Sequence, residues 1–111
     1  MKSRLVPDSL GRGDDLEFWC PGCGELHRIP ATGDRQPHRP VWGFNGDTDR
    51  PTLTPSILRR IGPFPDGHTE VCHSFLRDGR LEFLSDCTHE LKGQTVDLPE
   101  LPDDPWSKSP Q

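Results

Sequence analysis

Leu16-Glu17-Phe18-Trp19-Cys20, Pro21-Gly22-Cys23-Gly24 and Glu25-Leu26-His27-Arg28-Ile29 follow one another without interruption, and the reading of this stretch decides the fold. Apolar and polar residues alternate weakly on either side of a turn-forming centre, the pattern of two antiparallel strands. The stretch therefore predicts a β-hairpin with a cysteine-bearing tip. In a C-x-x-C turn closed by glycine, two thiolates converge on one ion while backbone N–H groups point at the sulfurs. A redox pair of the thioredoxin type would need a helix starting at the first cysteine, inside a βαβ unit. Pro21 and Gly22 break such a helix, so the tip reads as a zinc knuckle.

Working outward, 30% of the 111 residues are hydrophobic, while 13 prolines and 11 glycines make up more than a fifth of the chain. That supports one small core and argues against a helical bundle, whose interior tolerates neither residue. Further strands are expected at 41–45, 56–61, 69–76, 80–84 and 95–98, with Asp78-Gly79 as a hairpin turn between the third and fourth. Pro51 and Pro55 favour an extended or edge segment between them. Asp86 is expected to cap one helical turn over 88–92, stopped by Gly93. The expected class is mainly β: a small β-rich α+β domain of zinc-stapled hairpins with at most one short helix. Residues 1–15 read as a flexible arm with a short strand near Leu5 and Val6, 16–98 as the zinc-binding domain, and 99–111 as an acidic, proline-rich tail. Trp19, Trp42, Phe44, Phe75 and Phe83 are expected in the core, and Trp106 in the tail as a short docking element.

Net charge is −5, and it is uneven: 1–65 hold 9 basic and 8 acidic residues, 66–111 hold 4 and 10. A domain that neutralises phosphates needs a basic face, so nucleic acid is disfavoured as a partner. No apolar run is long enough for a membrane span, and the polar first residues do not read as a secretory signal. A cytoplasmic protein is expected. In that reducing compartment the four cysteines would not persist as disulfides, and a bound zinc would stabilise a core this small.

The knuckle supplies two of the four ligands that zinc takes. The remaining candidates are Cys72-His73, Cys87 with His89, and His27. Adjacent side chains on a strand point to opposite faces, so Cys72 and His73 should not reach one ion. The simplest closed site is Cys20, Cys23, Cys72 and Cys87, with His89 and then His27 as substitutes. This leaves His73 on a strand beside a ligand, facing away from it. Ser56 lies in a rigid Thr-Pro-Ser-Ile segment, and a serine becomes a nucleophile only beside a base. Ser56 and His73 are thus the candidate catalytic pair, with Asp49 or Asp86 as orienting carboxylate. The alternative is His73 on a zinc-activated water. His38 and His68 lie in polar loops and are expected at the surface.

The string from Trp42-Gly43-Phe44-Asn45-Gly46-Asp47 through Asp49-Arg50-Pro51-Thr52 and Pro55-Ser56-Ile57, then Cys72-His73-Ser74-Phe75, Asp78-Gly79-Arg80 and Phe83-Leu84-Ser85-Asp86-Cys87-Thr88-His89, resembles small phage and prophage proteins that carry the label ammonia monooxygenase. A short acidic chain without a membrane span does not fit that label, which implies a membrane copper enzyme. The wider family resembles the peptidases of bacterial ubiquitination-like operons. That resemblance implies a zinc-containing fold, a role in processing ubiquitin-like tails, and features at Cys20, Cys23, His27, Pro55-Ser56, Cys72, His73 and Phe75. It also implies that Cys87 and His89 mark the phage-type branch, which promotes His27 or His73 as ligand. The expected function is a small zinc-binding hydrolase, a peptidase or isopeptidase acting on ubiquitin-like or other exposed chain ends of a protein substrate. The alternative is a non-enzymatic, zinc-stabilised phage accessory protein that binds a host protein. Four protein ligands on the metal would favour the alternative unless Ser56 and His73 meet.

Overall fold

A computed structural model describes residues 1–101; the expected tail beyond them, with Trp106, lies outside the described residues. Strands β1 (Ser3–Pro7), β2 (Asp14–Cys20) and β3 (Glu25–Pro30) form a three-stranded sheet in that order. Strands β4 (Gly43–Phe44), β5 (Leu53–Ile61), β6 (Glu70–Arg77), β7 (Arg80–Phe83) and β8 (Thr95–Asp97) form a five-stranded one. Every pairing is antiparallel and joins sequence neighbours. No helix occurs among the described residues, and none is therefore long and apolar enough to cross a membrane. The β-rich class expected from the sequence is the one observed.

Strand alternation builds the core. Leu16, Phe18 and Cys20 of β2 face inward, as do Cys72, Ser74 and Leu76 of β6 and Leu81 and Phe83 of β7. With Ile29, Leu53, Ile57 and Leu98 they form one cluster shared by the two sheets. Fully burying each leucine stabilises the fold by about 1.5–3 kcal/mol. The aromatic core expected from the sequence needs correction: of the five residues named only Phe83 is fully enclosed. Trp42 and Phe44 pack on the margin of the cluster, while Trp19 and Phe75 lie on outer faces, because they occupy the opposite phase from Phe18 and Leu76.

The short strand expected near Leu5 and Val6 is β1, paired along its whole length. Ser3 to Pro7 pair with Phe18 to Asp14, and Ser3 is buried with its hydroxyl donating to the Thr48 carbonyl at 2.6 Å. The strand's outer face is charged. Glu17 is flanked across the sheet by Arg4 and Arg28, at 2.7 and 3.3 Å, and these cations cover a carboxylate that would otherwise be buried alone. Arg39, only 2% exposed, bonds the carbonyls of Thr32 and Asp14 and the Asp15 carboxylate at 2.8 Å, so the loop after β3 is held by one cation.

The helical turn expected over 88–92 is replaced by two turns. Lys92 N–H donates to the His89 carbonyl and Gln94 N–H to that of Leu91. Thr88 instead clips to β6, its N–H donating to the Val71 carbonyl and its hydroxyl accepting from Val71 N–H. Asp86 caps no helix. The β5–β6 register carries one irregularity: Leu53 pairs with Leu76 and Ile57 with Ser74, so Thr54, Pro55 and Ser56 together stand opposite Phe75 alone. This bulge bends β5 at the position of the candidate nucleophile.

Candidate active site

Ser56 leaves the bulge on the outer face of the five-stranded sheet, the face it shares with His73. Its Oγ lies 3.2 Å from His73 Nε2, and His73 Nδ1 lies 3.0 Å from Asp86 Oδ2. A carboxylate accepts only, so Nδ1 carries the ring proton and donates it to Asp86. That leaves the Nε2 lone pair facing the serine, whose hydroxyl donates to it. The three side chains form a hydrogen-bonded relay of hydroxyl, imidazole and carboxylate, a constellation recognised by geometry rather than by chain order. Here the order is serine, histidine, aspartate. Asp49, the other carboxylate considered, sits in the 45–50 turn, where its N–H donates to Asp47 Oδ1.

His73 is positioned by its backbone. The carbonyl of His73 accepts from Leu84 N–H at 2.9 Å and from the Cys87 thiol at 3.2 Å, while its N–H donates to Cys87 Sγ at 3.2 Å. The turn through Leu84 and Cys87, closed by Cys87 N–H on the Leu84 carbonyl, folds Asp86 back toward β6. Cys87 Sγ is thus hydrogen-bonded to the backbone of His73, and it also lies within 4.8 Å of the ligand atoms of Cys72 and His89.

On the inner face of β6 lies a second constellation. Ligand atoms of Cys20, Cys23, His27 and Cys72 all fall within 4.8 Å of one another, a group able to hold a metal ion. The knuckle brings its two sulfurs together: Gly24, at a positive φ of 71°, returns the chain so that its N–H donates to the Cys20 carbonyl, and Cys23 N–H donates to Cys20 Sγ at 3.4 Å. The Nε2 of His27 is buried without a hydrogen-bond partner, an atom whose lone pair or proton a ligand would satisfy. Hydrogen bonds from the side chains of Cys23 and Cys72 hold the Cys20 thiol down, to about 3, whereas the nearby sulfur of Cys20, then that of Cys23, pushes Cys72 up. Cys20 and Cys72 thus shift in opposite directions, a competition between neighbouring sulfurs that a divalent cation would relieve.

Of the expected ligands Cys20, Cys23, Cys72 and Cys87, the first three fall in this group together with His27. Cys87 belongs to a second group with Cys72 and His89. The Nδ1 of His89 accepts from Leu91 N–H at 3.2 Å, and its Nε2, like that of His27, is buried without a hydrogen-bond partner. Its ring rests against Gly22, where a Cβ would approach to 2.4 Å, and meets Phe83 edge-on. The signal for His27 lay in the hairpin register: Leu16, Phe18 and Cys20 pair with Ile29, His27 and Glu25, so His27 shares the inward face with Cys20. His38 and His68 are exposed, as expected.

A family model described as bacterial ubiquitination-like system serine protease (BubE) matches residues 3–84. The matched span contains Ser56, His73 and all four residues of the knuckle-centred group, and it ends two residues before Asp86. No curated protein and no solved structure matches the chain.

Proposed function

The chain belongs to the BubE family of bacterial ubiquitination-like system serine proteases, and from that premise we propose that it is a serine peptidase or isopeptidase with Ser56 as nucleophile, His73 as base and Asp86 as orienting carboxylate. The observation that carries this reading is the unbroken Ser56–His73–Asp86 relay, with both nitrogens of one imidazole engaged in the required sense. In the reaction, Ser56 Oγ attacks the carbonyl carbon of the scissile bond while its proton passes to His73 Nε2. The imidazolium, held by Asp86, returns that proton to the leaving amine as the C–N bond breaks. Water, deprotonated by His73, then hydrolyses the acyl ester and frees the serine. The substrates fitting the family are ubiquitin-like tails and their amide conjugates.

Cys20, Cys23, His27 and Cys72 suit zinc, with three sulfurs and one imidazole in a closed site. Bound there, zinc would tie the knuckle, β3 and β6 together and leave the serine chemistry to the opposite face. The route through His73 on a metal-activated water is the weaker one, since its ring lies across the strand from Cys72 and is occupied by Ser56 and Asp86. A closed metal site alone would favour a binding module; the meeting of Ser56 with His73 favours the enzyme.

The test is fluorophosphonate labelling of the purified chain together with cleavage of ubiquitin-like fusions. Labelling at Ser56 is expected, with loss in Ser56→Ala and His73→Ala at unchanged zinc content and melting temperature. Loss of zinc from His73→Ala, or labelling that survives Ser56→Ala, overturns the assignment.

A further inference from the structure

The β5 bulge does more than aim a serine. Beside the bulge, where Thr54, Pro55 and Ser56 oppose Phe75 alone, lies a half-open cavity of about 290 Å³. Its walls are Thr54 and Pro55 on one side and Phe75 on the other, with Leu53 and the stems of Arg77 and Asp78 completing it. Phe75, two residues from His73, presents its side chain on the face of β6 that carries the relay, and Pro55 adjoins Ser56 in the chain.

The charges at the rim are already matched. Arg77 Nη1 donates to both Glu82 oxygens at 3.0 and 3.3 Å while its guanidinium lies 4.2 Å over the Phe75 ring. Asp78 accepts from Arg50 at 2.7 Å. A charged side chain entering here would lose water without gaining a free counter-charge, whereas an apolar one would gain the ring and the proline. Resting on the serine-protease reading, we propose that this cavity is the primary specificity pocket of the enzyme, receiving one apolar side chain of about leucine size from the substrate residue beside the scissile bond, with Phe75 and Thr54 setting its depth.

Pockets that discriminate by shape distinguish apolar side chains by roughly 10–200-fold per methylene step. The experiment digests a randomised synthetic peptide library with the purified full chain and reads cleavage sites by mass spectrometry, alongside fluorophosphonate labelling of Ser56. Leucine-like residues are expected next to the cut, favoured at least about tenfold over lysine and glutamate. Phe75→Ala should shift the preference toward phenylalanine and tryptophan. Thr54→Phe, at an exposed position, should shift it toward alanine and glycine. Ser56-dependent labelling without an apolar preference, with a preference that neither variant moves, or with no cleavage of any library member, overturns the pocket and leaves the relay standing. Absence of Ser56-dependent labelling overturns the serine-protease reading itself, and the pocket with it.

Discussion

Replacing Asp86 with alanine isolates the one member of the relay that lies outside the span matched by the family model. Asp86 touches His73 through both oxygens, at 3.0 and 3.3 Å, yet its side chain is 57% exposed. A hydrogen bond to a charged group contributes about 1.5–3 kcal/mol, and each 1.4 kcal/mol is roughly tenfold in rate. Water competes for an exposed carboxylate, so the lower half of that range applies. A buried aspartate in the same role in a serine protease is worth about 10⁴-fold. Asp86→Ala should therefore slow labelling of Ser56 by a fluorophosphonate roughly 10- to 50-fold, while Ser56→Ala abolishes it. The substitution is in an exposed turn and removes no core contact, so unfolding free energy should change by no more than about 0.5 kcal/mol. The assay is the second-order labelling constant of each variant, with a thermal melt on the same preparations. A constant within about twofold of the unmodified protein refutes Asp86 as the orienting group.

His27→Ala should lose zinc to a chelator at far lower concentration than the unmodified protein, and Cys87→Ala should retain it. Elemental analysis expected to give about one zinc per chain reads both, and the reverse order would restore the four-cysteine site. Zinc should also leave as pH falls, because protons compete for thiolate and imidazole, and the melting temperature should fall with it. Arg39→Ala removes the only cation bonded to the buried Asp15 carboxylate among the described residues and should cost roughly 3–5 kcal/mol in urea unfolding; a loss under about 1 kcal/mol would show that the carboxylate is relieved in another way.

The hairpin over residues 14–30 was legible because its alternation and its Cys-Pro-Gly-Cys-Gly tip are both local signals. The opposition of Cys72 and His73 was legible for the same reason, since alternation along a strand needs no knowledge of its partners. Strand β1 was harder, because its polar outer side is covered by an Arg4–Glu17–Arg28 ladder that exists only after pairing. The aromatic residues misled because size was allowed to outrank phase: Trp19 and Phe75 alternate with the buried positions. That His27 joins Cys20, Cys23 and Cys72 in one group while Cys87 joins Cys72 and His89 in another depends on the β2–β3 register and on the 84–88 turn, both tertiary facts. Asp86 was one of two carboxylates named, and only the fold of the 84–88 turn separates it from Asp49.

Cys72 and His73 share a single peptide bond, one side chain in the sulfur cluster and the other in the relay. A slip of β6 by one position against β5 would exchange them, sending the thiol to the solvent and the imidazole into the core. Such a misfolded chain would lack both the sulfur cluster and the relay. The two constellations therefore proofread one another: the alignment that lets the sulfurs meet is the one alignment in which the serine finds its histidine.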